Sequence, residues 1–479
     1  MIKNLLADLE ADMSAESAAR FTDLVVEHLA STRAGDGPVS TSLSSEQIAA
    51  RFDEPLPLEG ASLESVVGRL RDEVLADCNR LTHPRAVGHQ VSAPLPAAIW
   101  TESIIGALNQ SVAVAEMSPT ATVLEHRVIR WMCDLVGYQA GAGGTLTSGG
   151  TEATFTALLA ARAAAIPDVW TNGVGANPPV VICGVHTHYA VSRAVGELGI
   201  GMRNVIVVPT RDWAMNTDAL AEVLDRLDDD GRPVMAVVAT AGTTATGSFD
   251  DLQTIGALCD AHGVWLHVDA AHGGSALLSQ RHRSRLRGIE HARSIAWDPH
   301  KMMLLPLAAG LLLVRDERVL ESAFSQRAPY LFHGGDGERV WDQGVRSFQC
   351  SRRADVIKLW VALQRYGANG IGALYDRLCD VTMAMHDMLV AHPSFAVLHV
   401  PTSNILCFRY VGDGSLDDEA LDVVNRELRE RYNRSGAGWI TATELDGRRV
   451  LRVTIMNPRT SEHHVREIVE GLAREAASM

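Results

Sequence analysis

The chain has 479 residues, 47% of them hydrophobic, and a formal net charge of -15 at neutral pH. That length allows a large core shared between two or three structural units, while the negative charge opposes nucleic acid and anionic membranes, with no basic, aromatic-laced stripe to offset it. No window approaches the ~18 consecutive apolar residues of a membrane span, and the opening MIKNLLADLEADM carries acids where a signal peptide would be apolar, so the chain is expected to be cytoplasmic, with small molecules and copies of itself as partners.

Residues 1 to about 80 read as helices, as in SAARFTDLVVEHLAST, broken by AGDGPVS and EPLPLEG. The helical pattern resumes from about 100 through AAIWTESIIGALNQ and TVLEHRVIRWMCDLVGY. Short apolar, β-branched runs then alternate with helical stretches: PVVICGV, RNVIVVPT, PVMAVVATA, VWLHVDAA, RSIAWD and AAGLLLVRD, separated by patterns such as VSRAVGELGI and TDALAEVLDRL. Strands apolar on both faces, alternating with helices, predict an α/β unit with a mainly parallel, helix-covered sheet. Residues 334 to 345, GGDGERVWDQGV, read as a mobile loop. Lys358, in ADVIKLWVALQRYG, is expected on a solvated helix face. Beyond about 366 come amphipathic helices, then NILCFRYV, GWITATEL, RVLRVTIMN and a closing helix, SEHHVREIVEGLARE, which predict a smaller α+β domain. The seven cysteines are scattered, odd in number and never in a CxxC pair, which argues against disulfides and a zinc site.

In open α/β sheets ligands collect at the carboxyl ends of strands, so the residues after each apolar run belong together. TLTSGGTEATFTALLAAR opens a helix at Gly150 and Thr151, whose free N–H groups suit a phosphate as well as a plain glycine turn. VICGVHTHYAVSRA puts His186 and His188 after a strand, either as satisfied structural histidines or with His188 flat against an aromatic ring. VVATAGTTATGSFDD turns Thr243 and Thr244 toward a ligand or toward solvent. Asp269, ending VWLHVD, is costly to bury without a cation, either an arginine or a protonated ring nitrogen. The fifth place is SIAWDPHKMMLL: the chain has only three lysines, Lys3, Lys301 and Lys358, among 43 basic residues. Guanidinium stays protonated, whereas a poorly solvated lysine can act as a neutral amine toward a carbonyl; the alternative is a lysine snorkelling out of an apolar patch. A phosphate cradle, a stacking group, an acid for a ring nitrogen and an amine for an aldehyde together match the needs of pyridoxal 5'-phosphate.

With those residues, the chain resembles the group II pyridoxal-phosphate-dependent amino-acid decarboxylases, whose members act on aromatic amino acids, glutamate, cysteine sulfinate or diaminobutyrate. The likeness runs through HPRAVGHQ, NQSVAVAEMSPTATVLE, TSGGTEAT, HTHYAVSRA, HVDAAHGGSALLS, AWDPHKMM, FQCSRRADVIKLW and VTIMNPRT. The resemblance implies a fold of the aspartate-aminotransferase type (fold type I) and a homodimer, with residues 1–80 a helical dimerisation arm, 81–365 the large cofactor-binding α/β domain and 366–479 a small α+β domain. It implies that Lys301 holds the cofactor as an imine, Asp269 pairs with the ring nitrogen, His188 stacks on the ring and Ala271 packs the opposite face. Gly150, Thr151 and His300 would surround the phosphate, with Thr244 near the cofactor and no metal.

The expected reaction releases carbon dioxide and a primary amine. Gln90 and Arg452 match positions that the glutamate and cysteine sulfinate branch uses for its substrate, and favour an acidic amino acid. Two departures leave the outcome open: His272 follows HVDAA where acidic-substrate members tend to carry tryptophan and aromatic-substrate members tyrosine, and Trp341 stands where several relatives have a proton-donating tyrosine, with Tyr330 or His188 as substitutes. Diaminobutyrate, aromatic or aliphatic substrates, oxidative formation of an aldehyde, transamination, and a binding protein without catalysis are the alternatives.

Overall fold

The computed structural model describes residues 2–324, 332 and 341–479. Tyr330 and most of the glycine-rich loop expected at 334 to 345 lie outside the described residues. The chain divides into two compact units: Gln90–Met383 with His399–Leu406, and Met1–His89 with Ala384–Leu398 and Cys407–Met479.

The larger unit is built on seven strands: β1 (Gly143–Thr147), β2 (Val180–Gly184), β3 (Val205–Val208), β4 (Val234–Thr240), β5 (Trp265–Asp269), β6 (Ser294–Trp297) and β7 (Gly310–Val314). They lie in the order β1-β7-β6-β5-β4-β2-β3. Strands β3, β2, β4, β5 and β6 pair in parallel, whereas β7 runs antiparallel to both β6 and β1. Because β7 reverses twice, β1 points the same way as β6, and the carboxyl ends of β1, β2, β4, β5 and β6 share one edge. All residues of β1, β2, β5, β6 and β7 are buried, as a sheet covered on both faces requires.

Helix α1 (Pro119–Val136) precedes β1, and α2 (Gly150–Ala165) follows it. Alanines let α2 approach the sheet closely: Ala153 and Ala157, both fully buried, pack with Ala296, Leu312 and Val314. Its other buried side packs Leu158 and Leu159 with Val181, Val238 and Trp265. Glu125 of α1, fully buried, is held bidentately by Arg352 at 2.6 and 3.1 Å and accepts the Leu146 N–H of β1 at 3.1 Å.

The smaller unit contains the helices Ile2–Asp12 and Ala15–Ala34 and a sheet of β8 (Phe395–Val397), β9 (Ile405–Tyr410), β10 (Thr441–Leu445) and β11 (Arg448–Thr454), in the order β8-β9-β11-β10. The helix Ile2–Asp12 buries none of its residues. No helix among the described residues is long and apolar enough to cross a membrane. All seven cysteines are free, with Cys78 and Cys350 exposed and the others buried.

Lys358 departs from expectation. It is not solvated but fully buried, with Nζ 2.7 Å from Glu102 and 3.0 Å from Asp355. Two carboxylates offset the loss of hydration that a lone buried ammonium would suffer. Lys358→Ala removes the buried ammonium from between those acids and leaves them Arg353, 2.6 Å from Glu102 and 3.9 Å from Asp355, so urea denaturation is expected to show a loss of about 3 kcal/mol, the low end for breaking a buried pair; a loss below about 1 kcal/mol, typical of exposed pairs, would contradict the burial.

Candidate active site

Five strand ends converge on a cavity of about 360 Å3 lined by Ser148, Gly149, Gly150, Thr151, His188, Tyr189, Thr240, Gly242, Thr244, Asp269, Ala271, His272, Asp298, His300, Lys301 and Leu307. Lys301, Asp269, His188, Gly150, Thr151, Thr244, Ala271 and His300 all line it. Gln90, Arg452 and Trp341 do not. His186 also lies outside the lining, its ring 5.5 Å from that of Trp213.

The turn after β6 brings the chemistry together. The Asp298 N–H donates to the Ala271 carbonyl at 3.1 Å, and the Asp298 carbonyl accepts the Lys301 N–H at 2.9 Å, so the two side chains point the same way. Lys301 Nζ lies 3.1 Å from Asp298 Oδ2, and His300 Nε2 lies 3.5 Å from the same oxygen. The Ala309 N–H donates to His300 Nδ1 at 3.1 Å, which assigns the neutral ring's proton to Nε2, facing the carboxylate. Asp298 is 2% exposed, and its Oδ1 has no hydrogen-bond partner among the described residues.

Asp269, at the end of β5, is 7% exposed, and its Oδ1 accepts the Ala271 N–H at 3.1 Å. No lysine or arginine pairs with it among the described residues. His188 follows β2; its Nδ1 accepts the Ala190 N–H at 3.2 Å, so its proton is likewise assigned to Nε2. Burial holds both His188 and His300 below the ordinary histidine value, with the Lys301 charge adding to the effect and nearby carboxylates opposing it. Both rings are therefore neutral near pH 7.

The loop after β4 is shaped by polar groups turned inward. Thr243, expected to face a ligand with Thr244, is instead buried; its hydroxyl bonds to Thr246 at 2.8 Å and accepts the Ser248 N–H at 3.1 Å, closing the loop on itself. Only Thr244 lines the cavity. Asp250 takes the Thr240 and Met215 N–H groups at 2.7 Å each, and burial still lifts its carboxyl to about 6. Gly242, at φ 89°, has no room for a side chain: a Cβ there would lie 2.8 Å from the Gly273 nitrogen.

Two cavity groups escaped the sequence reading. Asp298 was in view in AWDPHK, but nothing in the string said that its carboxylate would turn back onto Lys301. His272 stood out as a departure, yet its partner is remote in sequence: Nε2 lies 2.7 Å from Asn404 Oδ1.

A family model described as the pyridoxal-dependent decarboxylase conserved domain matches residues 46–411. The chain belongs to this family. L-2,4-diaminobutyrate decarboxylase of Rhizobium meliloti is 33% identical over 431 residues, covering 89% of this chain and 84% of that protein. An acidic amino acid decarboxylase of Mus musculus is 31% identical over 403 residues, covering 82% and 73%. The crystal structure of the glutamate decarboxylase domain of diaminobutyrate-pyruvate transaminase and L-2,4-diaminobutyrate decarboxylase from Vibrio parahaemolyticus matches with a TM-score of 0.86 at 27% identity, over 97% of this chain and 96% of that one. The mainly parallel sheet thus belongs to the fold type I architecture, and the chain is a pyridoxal-phosphate-dependent amino-acid decarboxylase, a carboxy-lyase.

The cavity of this decarboxylase fits that cofactor on its own geometry. Asp269 is a buried acid with no lysine or arginine against it among the described residues, as a protonated ring nitrogen would require. The α2 N-terminus opens into the cavity at Gly149 and Gly150, where free N–H groups favour phosphate. Space there is tight: a Cβ on Gly150 would come within 2.8 Å of the Ala271 Cβ and 3.2 Å of Asp298 Oδ2. Gly150→Ala is expected to weaken pyridoxal 5'-phosphate binding about tenfold or more in an absorbance titration, through overpacking that costs about 1–3 kcal/mol, while the far-ultraviolet circular dichroism stays unchanged. Unaltered affinity would show that the cradle is wider than this geometry requires.

Proposed function

We propose that the chain decarboxylates a short L-amino acid with an acidic side chain, such as aspartate, glutamate or cysteine sulfinate, to carbon dioxide and a primary amine. The observation that carries the assignment of roles is the convergence of Lys301, Asp269, His188 and the Gly150–Thr151 helix start on one cavity. When bound, pyridoxal 5'-phosphate supplies an electron-accepting ring for the bond broken at the substrate's α-carbon. Lys301 would hold its aldehyde carbon, Asp269 would keep the ring nitrogen protonated, and His188 and Ala271 would enclose the ring faces. Gly150, Thr151 and His300 would hold the phosphate, with Thr244 near the ring. The His188 ring, neutral and carrying its proton on Nε2, would stack without opposing the ring's positive charge, and would have an N–H to offer within the cavity.

Size and polarity support the substrate class. At about 360 Å3 the cavity sits at the low end of the ~300–1,000 Å3 usual for ligand sites, and it must take cofactor and substrate together, which favours a short side chain over an indole. Gln90 has a buried Nε2 without a hydrogen-bond partner among the described residues, a donor suited to an anionic end group. Arg452, the other residue expected to meet an anionic end group, is buried on β11. Trp341 does not line the cavity; its ring meets His126 edge-on at 5.0 Å. A proton-donating role for Tyr330 falls outside the described residues.

A second reading, 2,4-diaminobutyrate, is favoured by one observation: no arginine lines the cavity among the described residues. The 33% identity to a diaminobutyrate decarboxylase supports the same reading. A cytoplasmic homodimer is part of the proposal; Ile2, Leu5, Leu6, Leu9 and Met13, all more than half exposed at helical spacing, support an N-terminal arm that a second copy would cover.

Cofactor-loaded protein given a pool of amino acids is expected to consume an acidic one and form an amine lighter by one carboxyl group, without peroxide, ammonia or a keto-acid requirement, and Lys301→Ala is expected to abolish the reaction. Preferential loss of diaminobutyrate would transfer the assignment to the second reading. Aldehyde with peroxide would overturn the amine product.

A further inference from the structure

A carboxylate, Glu152, stands beside the phosphate cradle, and none of the roles above uses it. It is the third residue of α2, after Gly150 and Thr151, and a glutamate at that position ordinarily turns back to accept the N–H of the N-cap residue, here Gly149. The N–H groups of Gly149 and Gly150 have no acceptor within the helix, and they are the donors best placed for a phosphate. A glutamate here would therefore compete with the ligand for the same group.

The fold avoids that competition. Glu152 Oε2 accepts the Ser148 N–H at 2.8 Å, one residue before Gly149, and the same oxygen accepts a Gln349 Nε2–H at 2.8 Å. Oε1 is buried without a hydrogen-bond partner among the described residues, so both restraints on the carboxylate act through one atom. Gln349 is itself fixed: the Ser347 hydroxyl donates to its carbonyl at 2.9 Å, Phe348 meets Phe155 of α2 edge-on at 5.3 Å, and Arg352, three residues on, clamps Glu125. The Gly149 carbonyl accepts the Ala153 N–H at 3.0 Å and the Thr147 hydroxyl at 3.2 Å, which holds the turn from its other side.

We propose that Gln349 is a positioning residue for the cofactor's phosphate: it holds the Glu152 carboxylate on the Ser148 N–H and away from Gly149, so that the N–H groups of Gly149 and Gly150 stay open to the ligand. This rests on the reading of the α2 start as the phosphate site. Without the Gln349 amide the carboxylate is free to rotate onto the Gly149 N–H, where it would occupy a donor and set a negative charge against an anion. Phosphate affinity, and not the covalent step at Lys301, thereby depends on a side chain 197 residues from Glu152.

The test is a mutant cycle read by affinity. Cofactor-free protein is titrated with pyridoxal 5'-phosphate and, separately, with pyridoxal, the same aldehyde without its phosphate, and the absorbance of each complex is followed. Gln349→Met, similar in volume but lacking the N–H, is expected to weaken pyridoxal 5'-phosphate about tenfold, the scale of one hydrogen bond to a charged group, and to leave pyridoxal within about twofold. In a Glu152→Ala background the same substitution is expected to change neither affinity, because the carboxylate it restrains is gone. An equal loss in both backgrounds, an equal loss for both aldehydes, or no loss at all overturns the proposal. Should Gln349→Met or Glu152→Ala fail to fold, Gln349→Asn, whose amide is one carbon short of Glu152, and Glu152→Ser take their places with the same expectations. The Gly150→Ala titration keeps two failures apart: if it weakens the cofactor while Gln349→Met does not, this proposal alone falls, whereas if neither does, the phosphate reading falls with it.

Discussion

Burying two carboxylates at the ends of adjacent parallel strands is the constraint around which the cavity is organised. Removing a carboxylate from water costs several kcal/mol even after relaxation, and Asp269 and Asp298 are 7% and 2% exposed. Asp298 is compensated within the chain, by Lys301 and His300. Among the described residues Asp269 is hydrogen-bonded by the Ala271 N–H and makes no ion pair with a lysine or arginine, an acid suited to a cationic ligand. That asymmetry gives the site a direction: the amine sits at one strand end, and the unmatched acid sits on the neighbouring strand, where β5 pairs Asp269 with Ala296 of β6.

The surrounding polar network keeps those strand ends in place. Asp250 spends both carboxylate oxygens on backbone N–H groups, one of them from Thr240 at the end of β4. Glu125, clamped by Arg352, fixes β1 just ahead of the glycines that open α2. Ser92 donates to the His300 carbonyl at 3.0 Å, steadying the turn that carries Lys301. These buried groups are almost fully paired, which is how a water-poor interior holds polar side chains in one arrangement.

Much of this was legible in the string because the strands are apolar on both faces and their ends are marked by abrupt changes of residue type. PVVICGV, RNVIVVPT, PVMAVVATA, VWLHVDAA, RSIAWD and AAGLLLVRD each coincide with a strand, and the rarity of lysine singled out Lys301. GGTLT was not read as a strand: its glycines argue against one, and it forms because β7 pairs with it along its whole length. Strand direction was equally hidden, since nothing in AAGLLLVRD says that it runs antiparallel to its neighbours. Lys358 misled because helical spacing cannot reveal that Glu102, 256 residues away, rises to meet it. The His272–Asn404 contact, 132 residues apart, shares that reason, whereas Asp298 and Thr243 meet partners within five residues through turns whose side-chain directions the string does not show.

The central claim is that the amine at position 301 carries the cofactor. Borohydride reduction of the cofactor-loaded protein, followed by peptide mapping, tests it most directly, since a reduced imine leaves a stable pyridoxyl mass on the lysine that held it. The account predicts that mass on Lys301 and on neither Lys3 nor Lys358; a pyridoxyl group on another lysine, or none on a protein that has bound the cofactor, would contradict it.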